Sequence, residues 1–114
     1  MSTREKITDP RIRDIVREID GGRVLDLGCV QHDPGKRHDP NWLHQHLYEP
    51  ADSVLGVDRD VEGVQKLQEA GYNVVTGDAE VLDIDGRYDY VVAGELIEHL
   101  SNPGNFLQAA KDRL

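Results

Sequence analysis

Two short apolar runs, each ending at an acid, limit what this chain can fold into more than any other feature. Val24-Leu25-Asp26-Leu27-Gly28-Cys29 reads as a buried strand that breaks into a tight turn at Asp-x-Gly. Val54-Leu55-Gly56-Val57 reads as a second buried strand, and Asp58 ends it with a carboxylate. Strands that are apolar along their whole length, rather than alternating, are buried on both faces, which is the habit of parallel sheets covered by helices. Two later segments fit the same scheme, Val74-Val75-Thr76-Gly77-Asp78-Ala79 and Tyr88-Asp89-Tyr90-Val91-Val92-Ala93-Gly94-Glu95. Acids and glycines at the carboxyl ends of adjacent parallel strands describe a nucleotide-type pocket.

Helical patterns separate the strands. Asp9-Pro10 is a start signal, an N-cap acid before a proline at the first helical position. Ile12, Ile15, Val16 and Ile19 then fall on one face, and Gly21-Gly22 stops the helix. Asp39-Pro40 repeats the signal ahead of a short helix with Trp42, Leu43, His46 and Leu47 along one side. Asp60 caps a third helix carrying Val61, Val64 and Leu67, with Glu62 and Lys66 paired at i,i+4 and Gly71 as its stop. Asn102-Pro103 opens a last helix whose stripe is Phe106, Leu107, Ala110 and Leu114. Strands are expected over 24–27, 53–57, 73–76 and 88–93, in an α/β sandwich with helices on both faces of a parallel sheet.

Composition narrows the class. The chain has 114 residues, 38% of them hydrophobic, which suits a single domain over 1–114 with one modest core. Its net charge is −9, from 22 acids against 13 bases. Such an acidic surface repels phosphate backbones and anionic membranes, so neither nucleic acid nor a membrane is expected as a partner. One cysteine permits no internal disulfide. No apolar stretch approaches the roughly 18 residues of a membrane span, and the charged N-terminus is unlike a signal peptide. A cytoplasmic protein is expected.

In its four strand-and-turn segments the chain resembles the class I, Rossmann-like S-adenosylmethionine-dependent methyltransferases, from about Gly22 to the last residue. The resemblance implies a three-layer sandwich with strand order 3-2-1-4 and S-adenosyl-L-methionine as cofactor. It implies transfer of a methyl group, by in-line displacement, to a small-molecule acceptor. It also implies three further strands, so the chain reads as the N-terminal, cofactor-binding part, truncated before them. Strand 88–93 would then present an apolar edge, to be paired by a second copy or by a partner chain.

The same resemblance assigns roles. Asp26-Leu27-Gly28-Cys29-Val30-Gln31-His32 stands where the family carries acid-x-Gly-x-Gly-x-Gly. Asp26, Gly28 and Cys29 would border the methionine moiety, although Val30 and His32 replace the second and third glycines. The departure also removes the dinucleotide fingerprint Gly-x-Gly-x-x-Gly, which argues against a dehydrogenase fragment. Asp58, with Arg59 beside it, would accept hydrogen bonds from the ribose hydroxyls. Asp78 would accept from the adenine amine while the Ala79 backbone N–H reaches a ring nitrogen; an Asx turn is the structural alternative for this Gly-Asp pair. Gly94 and Glu95 fall beside the methionine end.

Glu95, Glu98 and His99 form Glu-x-x-Glu-His, which converges on one helical turn and resembles the site of metal-assisted O-methyltransferases. In other family members Glu-His only caps the next helix or lines the pocket. No metal is therefore assigned, and Glu98 and His99 stand as the candidates for a general base. His32, His38, His44 and His46, with Asp33 and Asp39, match no zinc spacing. The loop histidines read as solvated and His46 as a packed core residue. Trp42 and the leucines read as the core face of a lid helix over the cofactor, and Cys29 as a small turn residue rather than a nucleophile. The competing function is a non-catalytic, methyltransferase-like module that binds the nucleoside or scaffolds a partner.

Overall fold

The computed structural model describes residues 9–30, 42–81 and 86–93, together with Lys111 and Leu114. Within them run α1 (Pro10–Glu18), β1 (Arg23–Leu27), α2 (Leu43–Leu47), β2 (Ser53–Asp58), α3 (Val61–Glu69), β3 (Val74–Thr76) and β4 (Tyr90–Val92). Local signals place most of the boundaries. The Asp9 carboxylate accepts the Arg11 N–H at 2.9 Å and starts α1 with Pro10 at the first helical position. Asp60 does the same for α3 by accepting from Gly63 N–H at 2.9 Å. Gly71 ends α3 with φ +98° and open space where a Cβ would be, so backbone conformation alone selects glycine there. Trp42 caps α2 without a side-chain hydrogen bond; the Asp39-Pro40 signal lies outside the described residues, as does most of the helix expected after Asn102-Pro103.

The strands form one parallel sheet in the order β3-β2-β1-β4. In register, Leu27 faces Val57 across β1 and β2, and Asp58 faces Thr76 across β2 and β3. The carboxyl ends of these three strands therefore lie along one edge. β4 is shorter than the expected 88–93. The Asp89 carboxylate takes the Arg23 N–H at 2.8 Å in place of a ladder carbonyl, and Tyr88 packs into the core, so regular pairing begins at Tyr90.

The pleat sorts the core into two faces. On one, Val24, Val54 and Val74 meet the helices: Ile19 of the segment after α1, Leu47 of α2, and Val64 and Leu67 of α3. On the other, Leu25, Leu27 and Val57 pack with Ala79 and Tyr88. All three described helices lie on the first face. Fully burying side chains such as Leu25, Leu27 and Leu47 contributes about 1.5–3 kcal/mol each. Val61, expected in the α3 stripe, is instead 65% exposed in the first helical turn. The Glu62–Lys66 pair forms at 3.6 Å in solvent and contributes only a few tenths of a kcal/mol.

Candidate functional site

The strand-end turns meet where the sheet's carboxyl edge leaves the core. Gly28 turns the chain away from β1 with φ +80°, and its N–H donates to the Val57 carbonyl at 2.7 Å. Gly77 N–H donates to the Asp58 carbonyl at 2.9 Å. These two bonds draw the turns after β1 and β3 against the end of β2. A left-handed turn of this kind costs a residue with a Cβ about 1–2 kcal/mol, which is why the first glycine is retained.

Asp58 is half-buried at the centre of this edge. Its Oδ2 accepts the Val30 N–H at 2.9 Å and its Oδ1 the Asp60 N–H at 2.9 Å. Each oxygen has a second lone pair, so an oriented carboxylate with two remaining acceptor positions is what a vicinal diol requires. Together with the exposed backbone of Gly28, this donor and acceptor chemistry fits the nucleoside end of S-adenosylmethionine. Arg59 extends into solvent beside it.

Val30, where the expected pattern has a glycine, packs its side chain against α3. A Cβ at Gly63 would lie 2.5 Å from Val30 Cγ1, so the valine side chain sits against the first turn of α3 in space that a side chain at 63 would need.

Asp26 is drawn downward rather than toward the edge. Its carboxylate is 2% exposed, and Oδ2 lies 2.8 Å from His44 Nδ1. His44 Nε2 lies 2.9 Å from the Tyr48 hydroxyl, whose oxygen accepts the Asn73 N–H at 2.9 Å. His44, expected to be solvated with the loop histidines, is instead completely buried; the Asp26 carboxylate and an aromatic surround of Trp42, Tyr48 and Tyr72 replace its water. His46 is buried, as its place on the apolar side indicates. Trp42 belongs to the helix layer rather than to a lid. It packs with Cys29, Val64, Leu67 and Val74, and its indole N–H donates to the Cys29 carbonyl at 2.8 Å. Burial first, and then the nearby Asp26 and Asp58 charges, push the Cys29 thiol far up, so it stays protonated. Burial likewise raises the Tyr48 phenol despite the N–H it accepts.

Asp78 forms the Asx turn, its Oδ1 accepting the Glu80 N–H at 2.8 Å, while Ala79 is buried against Leu25, Leu27 and Val57. Gly94, Glu95, Glu98 and His99 lie outside the described residues, as do His32 and His38. Among the described residues no group of three His, Cys, Asp or Glu side chains is placed to hold a metal ion, and no helix is long and apolar enough to cross a membrane. Sequence reasoning missed three contributors: the Val30 N–H, the notch at Gly63, and His44. A glycine inside the apolar run of β2, Gly56, was the available signal for the last, since strand glycines mark close approaches.

A family model described as a methyltransferase domain matches residues 4–114. A curated relative, the ubiquinone biosynthesis O-methyltransferase of Leptothrix cholodnii, is 27% identical over an alignment of 107 positions that covers 86% of this chain and 42% of that protein. A solved S-adenosylmethionine-dependent methyltransferase of Thermotoga maritima, described as a possible histamine N-methyltransferase, is similar with TM-score 0.70 and 18% identity over 90% of this chain and 44% of its own. CalS10 of Micromonospora echinaspora, an amino pentose methyltransferase solved with S-adenosylmethionine bound, has TM-score 0.64 and 18% identity over 100% of this chain and 47% of its own. The chain thus spans less than half the length of each of these relatives. Its 3-2-1-4 sheet is theirs in fold, and S-adenosyl-L-methionine is the cofactor they point to. With the family model matched from residue 4 to 114, the chain belongs to the methyltransferase domain family.

Proposed function

We propose that this chain forms the cofactor-binding part of an S-adenosylmethionine-dependent methyltransferase acting on a small organic acceptor. The observation that carries this reading is Asp58, held half-buried at the end of β2 with one backbone N–H on each carboxylate oxygen. When bound, S-adenosylmethionine supplies a methyl group on a cationic sulfur that is already a good leaving group. The protein's share is then alignment and exclusion of water. Asp58 would hold the ribose hydroxyls, Gly28 would leave room for close approach, and Asp78 with the Ala79 N–H would meet the base. Asp26 supports the turn from below, and the protonated Cys29 thiol does not compete as a nucleophile. Gly94, Glu95, Glu98 and His99 remain candidates on sequence grounds, Glu98 and His99 for removing a proton from the acceptor. The relatives' names cover hydroxyl and amine acceptors, all of them small molecules, and a hydroxyl is the first to test because the curated relative is an O-methyltransferase.

Calorimetric titration with S-adenosylhomocysteine, repeated on Asp58→Ala, tests this. Saturable binding that the substitution weakens by roughly tenfold or more, the scale of hydrogen bonds to a charged group, supports the reading. A folded chain that does not bind would instead favour a non-catalytic module, the reading to which Val30 in a glycine position lends weight.

A further inference from the structure

The side chains of Trp42, which caps α2, and of His44 within it reach the turn after β1 from beneath, and the proposed cofactor contacts use neither. The Trp42 indole N–H holds the Cys29 carbonyl at 2.8 Å, and His44 Nδ1 holds Asp26 Oδ2 at 2.8 Å. Gly28 lies between these two anchor points. His44 is 0% exposed and Asp26 2%. Removing the donor would strand a carboxylate away from water, which costs more than the bond itself contributes.

Hydrogen-bond chemistry offers one ring arrangement in which every group meets its partner. A carboxylate only accepts, so Nδ1 carries a proton. The Tyr48 oxygen already accepts the Asn73 N–H at 2.9 Å, and its own O–H lies against His44 Nε2 at 2.9 Å. With Nε2 unprotonated, each atom from Asp26 through His44 and Tyr48 to Asn73 meets a partner of the opposite kind. The ring's seat exists because residue 56 has no side chain. A Cβ there would lie 2.8 Å from His44 Cε1 and 2.8 Å from Cys29 Sγ.

We infer that His44 is a positioning residue for the cofactor turn, fixing Asp26 beneath Gly28 so that, with Trp42, α2 sets a backbone course up to Val30 that the family's second glycine would otherwise allow. The inference rests on reading that turn as the cofactor site. Its own content is that the turn is held from α2.

The test compares the full chain with His44→Asn and His44→Gln. Asparagine keeps a donor at the Nδ1 position, whereas glutamine reaches the Nε2 position and leaves Asp26 without one. His44→Asn should bind S-adenosylhomocysteine within about threefold of the parent, and His44→Gln should lose roughly tenfold or more. Hydrogen exchange at the Gly28 and Val30 amides, bonded to Val57 and Asp58, should quicken in His44→Gln only. A folded His44→Gln with parental affinity and unchanged amide protection overturns the inference. Should His44→Gln not fold, the imidazole tautomer of the parent chain decides, read from two-bond nitrogen–proton correlations. Protonation at Nδ1, with or without Nε2, supports the arrangement, and protonation at Nε2 alone overturns it. If the parent binds no S-adenosylhomocysteine the proposed function falls, while amide protection and the tautomer still decide the role of His44.

Discussion

Gly56 shows how one missing side chain organises this core. A Cβ at that position would come within 2.8 Å of Cys29 Sγ, His44 Cε1 and Val74 Cγ1 at once. Two of the three cannot move freely, because His44 is tied to Asp26 through its side chain and Cys29 to Trp42 through its carbonyl. Gly56→Ala should therefore destabilise the fold by about 1–3 kcal/mol, the range for overpacking a filled core, read as a lower urea midpoint at unchanged slope. Had the position been open, alanine in a strand would have been neutral or stabilising. Cys29 offers a second expectation at this scale. Its thiol is buried and pushed up, so alkylation by iodoacetamide at pH 8 should follow unfolding rather than compete with it. The sequence marked Cys29 correctly as a small turn residue and His46 as a core residue from their neighbours alone. It could not mark His44 as buried, because a histidine at helical spacing is buried or solvated according to what faces it, and the Asp26 that faces it is 18 positions away.

At the scale of elements, two helix starts make opposite predictions. The side chain of Arg11, and then its backbone N–H, hold the Asp9 carboxyl below its ordinary 3.8. A depressed carboxyl contributes stability that is complete above the unfolded value and lost as pH falls through the folded one. Asp9→Ala should thus cost about 1 kcal/mol at pH 7, the usual worth of an N-cap. The gap between the two proteins should close as the pH drops below 3.8, which melting curves across that range would show. Gly63 reverses the normal rule for helices. Alanine is favoured over glycine inside a helix by about 1 kcal/mol, yet a Cβ at 63 would meet Val30 Cγ1 at 2.5 Å and Asp60 Oδ2 at 2.6 Å. Gly63→Ala should lower the melting temperature, and adding Val30→Ala should recover part of the loss. The coupling in that double-mutant cycle should be roughly 0.5–3 kcal/mol; simple additivity would show that the turn and α3 are independent. Capping and periodicity made both helix starts legible beforehand. The Val30–Gly63 fit was not, because it depends on how α3 is rotated against the turn.

For the molecule as a whole, charge sets the expectation. Most acids among the described residues are exposed, and with a net charge of −9 on 114 residues they repel one another across the surface. Raising salt from about 0.02 to 0.2 M shortens the screening length from roughly 20 Å to under 10 Å and should raise the melting temperature. A fall would mean that attractive pairs outweigh the repulsion. Element types, their order along the chain and the parallel sheet were determined by the sequence itself. Periodicity, caps and unbroken apolar runs are local properties, and the resemblance to the methyltransferases then supplied the strand order. Only the tertiary structure decided which polar atoms meet. Asp58 receives the Val30 N–H, Asp26 meets His44, and Tyr48 joins Asn73 across 25 residues. A hydrophobic pattern records which face of an element is buried, but not the register and rotation at which two buried faces come together, and it is register and rotation that bring a donor to its acceptor.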